Sequence, residues 1–195
     1  MTRALPRPRA ATPGLAIVPG GLLRMYGLGV LIVGDSGVGK SESALELVCR
    51  GHRFVTDDVV QIVRSARGRV IGRAPSLSRF FMEIRGLGII NIRQIFGPHS
   101  IALESPIDLV VRLKKWQPRK EFDRLGLRFP EDTLVQGIRV PQMNIPVAPG
   151  RNIATLIEVA CKVHLLRRRG YIASLDLCGK LDRALTRREP RKGKA

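Results

Sequence analysis

The chain has 195 residues, 44% of them hydrophobic and 26% charged, which is material for one globular domain with a substantial core. Its formal net charge is +18, but aromatic residues make up only 5%, so the stacking platform of a single-strand binder is not evident and nucleic acid is not the expected partner. No apolar run approaches the ~20 residues of a membrane-spanning helix, and Met1 to Ala10 lacks the apolar stretch of a secretory signal. Cys49, Cys161 and Cys178 are widely spaced, with no metal-site or redox-motif pattern, so a reduced, cytoplasmic protein is expected.

Residues 1 to 19 are rich in Pro, Arg and Ala and read as a disordered or truncated N-terminal segment. The folded domain is expected over residues 20–180, followed by a basic tail over 181–195 that includes Arg187, Arg188, Arg191, Lys192 and Lys194. Gly29 to Val33 reads as a buried strand and Gly34 to Gly39 as a Gly-rich loop. Lys40 to Cys49 reads as a helix, with Ala44, Leu45, Leu47 and Val48 apolar and Gly51 at the stop position. Phe54-Val55-Thr56 is a second strand, ending on Asp57-Asp58. Strand, loop, helix and strand open an α/β fold. Gln61-Ile62-Val63 and Arg69-Val70-Ile71 read as strands flanking a turn at Gly68, and Ile107 to Leu113 alternates with period two. Lys114 to Pro130 is polar and reads as a long loop. Asn152 is placed to cap a helix whose Ile153, Leu156, Ile157 and Ala160 share one face, with Gly170 ending it.

The strongest chemical signal is Gly34-Asp35-Ser36-Gly37-Val38-Gly39-Lys40-Ser41, a full G-x-x-x-x-G-K-[ST] motif. Its glycines let backbone N–H groups turn inward around phosphate oxygens, and the helix that follows adds partial positive charge. In such a loop Lys40 bridges the β- and γ-phosphates of ATP and the Ser41 hydroxyl coordinates Mg²⁺. Asp57-Asp58, at the end of the next strand, suits magnesium binding and proton transfer, although a cap or turn suits Asp equally well. In Phe81 to Gly97, Glu83 and Arg85 interrupt an apolar run; this is either an edge strand with a bulge or part of a site. His52, His99 and His164 show no ligand-like grouping, and His164 reads as structural.

These motifs together resemble the HPr kinase/phosphorylase family. The resemblance rests on the P-loop with Glu42, on Glu46-Leu47-Val48, on Arg50-Gly51-His52-Arg53 and on Asp57-Asp58. The run Met82-Glu83-Ile84-Arg85-Gly86-Leu87-Gly88-Ile89-Ile90-Asn91 is the most specific part. Phe122-Asp123-Arg124-Leu125-Gly126 and Pro146-Val147-Ala148-Pro149-Gly150-Arg151-Asn152 add to it, so that roughly Gly20 to Ala173 is covered. The resemblance implies a P-loop fold related to phosphoenolpyruvate carboxykinase, with a mixed sheet and flanking helices, commonly assembled as a hexamer. It implies ATP-dependent phosphorylation of a serine on the phosphocarrier protein HPr, and removal of that phosphate by inorganic phosphate with release of pyrophosphate. Lys40 matches the family's catalytic lysine, Ser41 and Glu83 its magnesium positions, and Asp58, with Asp57 beside it, its acid/base. Arg124 matches a further active-site arginine. Ile145 to Gly150 matches the segment tied to dephosphorylation. Two positions depart from the pattern: Pro19 stands where the family has a histidine, and Ala148 where many members have an arginine. An ATP-sensing module with impaired turnover is the alternative that these departures leave open.

Overall fold

The structure, a computed structural model, describes residues 15–116, 126 and 131–186. Tyr26 and Gly27 have φ of 52° and 82° and turn strand β2 (Gly21–Met25) directly into β3 (Leu28–Gly34). Two-residue turns with both central φ positive match the right-handed twist of paired strands, which is why they close tight hairpins.

The chain continues through α1 (Lys40–Cys49), β4 (Arg53–Thr56), β5 (Val59–Arg64) and β6 (Val70–Arg73). A hairpin of β7 (Phe81–Ile84) and β8 (Gly88–Asn91) leads into the short α2 (Ile92–Phe96). After β9 (Glu104–Pro106) come β10 (Leu109–Lys115), β11 (Asp132–Val135) and β12 (Ile138–Val147), then α3 (Ile153–Arg168) and α4 (Ala173–Thr186). Preceding all of these is β1 (Leu15–Pro19).

The main sheet has the order β11-β12-β10-β3-β2-β4, in which β10 is parallel to both β3 and β12 and the outer pairs are antiparallel. A second, antiparallel sheet has the order β1-β5-β6-β9. Side chains alternate between the two faces of the main sheet. Val30, Ile32, Val111 and Leu113 pack with Ala44 and Leu47 of α1 and Ile157 of α3. Leu31, Val33 and Val110 pack with Val18, Val60 and Ile62 of the second sheet. The result is a mixed sheet flanked by helices on one face and by a smaller sheet on the other.

Several expectations change. Ile107 to Leu113 was expected to alternate, but Leu109, Val110 and Val111 are each 0% exposed, because β10 lies inside the sheet with a layer on either face. The segment 1–19 was expected to be disordered or truncated, yet Leu15–Pro19 is β1, with Ala16 and Val18 buried and all five residues paired with β5. At the other end α4 runs past residue 181 to Thr186, so the start of the basic tail is helical. Phe81 to Asn91 is a two-stranded hairpin turned at Gly86, with φ of 85°, and contains no bulge. Most of the expected Lys114–Pro130 loop lies outside the described residues, and Lys114 and Lys115 close β10.

Candidate active site

Strand β3 delivers Gly34 to the loop, and α1 begins at Lys40 with Gly39 as its N-cap at φ 92°. No side chain caps this helix, so its first N–H groups stay available to an anion. Gly37 and Gly39 have positive φ, and a Cβ at either would meet nothing within 4 Å, leaving the open cradle that a phosphate needs. The Lys40 ammonium donates to the carbonyls of Gly34 and Asp35 at 3.0 and 2.9 Å, folded across the mouth of the loop. Asp35, Ser36 and Gly37 are exposed and Val38 is buried, which pins the loop to the core from below.

Register sets what surrounds this loop. Leu113 of β10 pairs with Gly34 on one side and with Ile145 of β12 on the other. Residues 145–150 and the P-loop therefore share the carboxyl edge of the parallel strands, the edge where open α/β sheets bind ligands. Beyond β12, the Arg151 guanidinium donates to the Pro146 carbonyl at 2.7 Å, and Ala148 is half-buried.

Asp57 and Asp58 differ sharply in setting. Asp57 is 7% exposed with the Ser41 side chain beside its carboxylate, and among the described residues its Oδ1 is buried without a hydrogen-bond partner. Burial pushes its pKa up, against the lowering effects of the neighbouring Ser41 side chain and of the nearby Lys40 charge. Asp58 is exposed and has φ of 66°. The structure thus brings Lys40, Ser41 and Asp57 together, with Asp58 at the solvent side of the group.

An orphaned, buried carboxylate oxygen beside a P-loop serine is a hard-oxygen donor set that fits Mg²⁺, which is commonly held by one or two carboxylates plus phosphate oxygens. Glu83 stands on the exposed face of β7, whose Met82 and Ile84 face the core. Among the described residues no three His, Cys, Asp or Glu side chains form a metal-binding group, so Glu83 does not close a carboxylate cluster with the aspartates. Arg124 lies outside the described residues. Pro19 pairs opposite Val59, the residue after Asp58, so the position of the family histidine adjoins the aspartate pair.

Sequence reasoning missed the support beneath the aspartates. Gly20, Gly21 and Thr56 surround their turn: the Gly20 N–H donates to the Asp58 carbonyl at 2.9 Å, and a Cβ on Gly21 would sit 3.3 Å from Asp57 Oδ1. The adjacent Gly20-Gly21 pair was the available signal. His164 is buried on α3, as its structural reading required.

A strand, a Gly-rich loop, an uncapped helix and an acidic pair after the next strand define a P-loop α/β domain. Residues 15–181 match the family described as "HPr Serine kinase C-terminal domain", and the chain belongs to that family. The HPr kinase/phosphorylase of Caldanaerobacter subterraneus subsp. tengcongensis is 45% identical over 166 residues, 84% of this chain and 53% of that protein. Those of Brevibacillus brevis and Geobacter sulfurreducens are each 46% identical, over 169 and 164 residues, covering 86% and 84% of this chain and 54% and 51% of theirs. The chain spans about half the length of these relatives. The structure of the Hpr(Ser) kinase/phosphatase from Coxiella burnetii superposes with a TM-score of 0.74 at 32% identity, covering 83% of this chain and 97% of that one.

Proposed function

We propose that this chain is an ATP-dependent protein-serine kinase whose acceptor is HPr, with phosphorolysis of phosphoserine-HPr by inorganic phosphate as a weaker reverse reaction. The observation that carries the reading is the convergence of Lys40, Ser41 and buried Asp57 beside exposed Asp58 at one sheet edge. The loop N–H groups and Lys40 bind the phosphates of ATP and offset their charge. Ser41 and Asp57 are the residues that would hold Mg²⁺, with Glu83 a further candidate by resemblance. Bound there, the metal would supply charge neutralisation at the transferring phosphoryl group. Asp58, exposed where a protein substrate can approach, accepts the proton of the attacking serine hydroxyl and returns it in the reverse direction. Arg124 belongs to this reading through the resemblance alone.

A cytoplasmic setting and a homo-oligomer, with a hexamer the form the family resemblance implies, are part of the same proposal. The exposed Leu177, Leu181 and Leu185 of α4 form an apolar stripe that supports self-association. Retention of Lys40, Ser41 and both aspartates favours turnover over nucleotide sensing alone. The test is incubation of the full chain with ATP, Mg²⁺ and HPr, followed by mass-spectrometric location of the phosphate. One phosphoserine on HPr supports the proposal; ATP binding with no transfer rejects it in favour of the sensor.

A further inference from the structure

Asp58 occupies an unusual piece of backbone. The Val59 N–H donates to the Asp57 carbonyl at 2.8 Å, a bond spanning three residues, and the central residue, Asp58, has φ of 66°. This is the positive-φ γ-turn, which is rare and strained for a residue with a side chain. Such a conformation persists only where its surroundings hold it.

Two contacts do the holding. The Thr56 hydroxyl donates to the Val59 carbonyl at 2.8 Å and so clamps the exit of the turn. Thr56 is only 1% exposed, so this hydroxyl has no water to turn to. On the opposite side the Gly20 N–H donates to the Asp58 carbonyl at 2.9 Å. Gly20 itself has φ of 156°, and a Cβ on it would fall 2.5 Å from the Ile32 carbonyl oxygen of β3. The glycine therefore lets the β1–β2 junction press close enough to reach Asp58. With the carbonyl groups on both sides fixed, the Cα–Cβ bond of Asp58 has a single direction, outward from the turn.

We propose that Thr56 and Gly20 are positioning residues for Asp58: they hold it in a strained γ-turn and thereby aim its carboxylate at the acceptor hydroxyl. This rests on the reading of Asp58 as the acid/base. Neither residue touches nucleotide in this scheme, so their loss lowers the chemical step and spares ATP binding. Misplacing a catalytic group by about 1 Å can cost about a hundredfold in rate.

The experiment compares Thr56→Val, which keeps shape and removes the hydroxyl, with Thr56→Ser, which keeps the hydroxyl, in HPr phosphorylation at saturating ATP. Thr56→Val is expected to lower kcat by about ten- to a hundredfold with the KM for ATP within about twofold, and Thr56→Ser to restore most of the rate. Wild-type kcat in Thr56→Val, a loss carried by KM, or equal damage in Thr56→Ser each overturns the proposal. A second comparison holds even if Thr56→Val fails to fold. Asp58→Gly is expected to melt above Asp58→Ala, because glycine accepts positive φ without strain. Asp58→Gly melting at or below Asp58→Ala means the turn stores no strain and removes the proposal's basis. Asp58→Asn separates the two levels. If it retains full activity, the base assignment fails; if it is inactive while Thr56→Val is unimpaired, the base assignment stands and only the positioning role falls.

Discussion

The Nε2 of His52, just ahead of β4, lies 2.8 Å from Oε1 of Glu158 on α3. The Tyr26 hydroxyl donates to the same oxygen at 2.9 Å, and Arg50, at the C-cap of α1, donates to Oε2 at 2.5 Å. One carboxylate thus joins the β2–β3 turn, the end of the P-loop helix, β4 and α3. Arg50 also reaches Glu46 and Thr155, and Asn152, which caps α3 through Thr155 N–H, donates to Glu46 at 2.8 Å.

This arrangement makes stability depend on acid. Burial raises the pKa of Glu158, but hydrogen bonds from His52, Arg50 and Tyr26 outweigh it and bring the group from the ordinary 4.5 to about 2. Between those values the unfolded chain binds more protons than the folded one, so this contribution is present above about pH 4.5 and is lost as pH falls toward about 2. The melting-temperature gap between wild type and Glu158→Gln is expected to be full at neutral pH and to narrow across that window. A gap that stays constant down to the lower end refutes the assignment.

Lys40→Ala is expected to abolish ATP-dependent transfer while the fold is retained. Among the described residues the ammonium bonds only the Gly34 and Asp35 carbonyls of its own loop, so stability should change by no more than about 1 kcal/mol. Phosphate-transfer assays alongside thermal melts decide; an active variant contradicts the P-loop assignment.

The two aspartates are expected to fail differently. Asp58→Asn should keep nucleotide binding and lower serine phosphorylation by about 100- to 10,000-fold, the usual cost of a lost general base. Asp57→Asn should instead raise the Mg²⁺ concentration needed for half-maximal rate, because its carboxylate adjoins Ser41. Magnesium titrations of both variants would reverse these roles if Asp57→Asn proved the worse at saturating metal.

Two glycine substitutions should move stability in opposite directions. A Cβ on Gly29 would lie 1.5 Å from the Pro106 carbonyl oxygen, and the Gly29 N–H already donates to Asp108 at 2.8 Å. Gly29→Ala is expected to prevent folding or to cost more than about 4 kcal/mol. Gly179, inside α4, meets nothing within 4 Å, so Gly179→Ala should stabilise by about 0.4–1 kcal/mol. Denaturant melts measure both.

The forward reaction is expected to outrun phosphorolysis. The reverse reaction brings inorganic phosphate beside a phosphoserine, and donors or cations must offset that repulsion. Pro19, opposite Val59 and next to the aspartate turn, supplies neither, and Ala148 supplies none at the β12 end. Assays in both directions should show a high KM for phosphate in the parent chain and faster phosphorolysis in Pro19→His. Comparable rates in both directions in the parent would contradict this.

What was readable from sequence was local. The β3 strand, the Gly-rich loop and α1 are contiguous, and the Asn152 cap sits three residues from its acceptor's partner, so short patterns encode them. The different burial of Asp57 and Asp58 was not readable, because it depends on β1 and β2 closing over one of them. Strand β1 was hidden by its Pro-, Arg- and Ala-rich surroundings, although Leu15 to Val18 is a short apolar run whose burial alternates in the fold. The Glu158 network joins residues more than a hundred positions apart, and nothing in either segment names the other.

The pairing of β3 with β10 has a kinetic consequence. The strand that carries the first P-loop glycine finds its parallel neighbour only after the chain has closed everything between residue 34 and residue 113. Local hairpins such as β2–β3 and β5–β6 can form early, but a parallel partner so distant in sequence demands a large loop closure before it returns any burial. Folding of this domain is therefore expected to wait on a late, non-local step, in which the nucleotide site would take its final geometry together with the centre of the sheet.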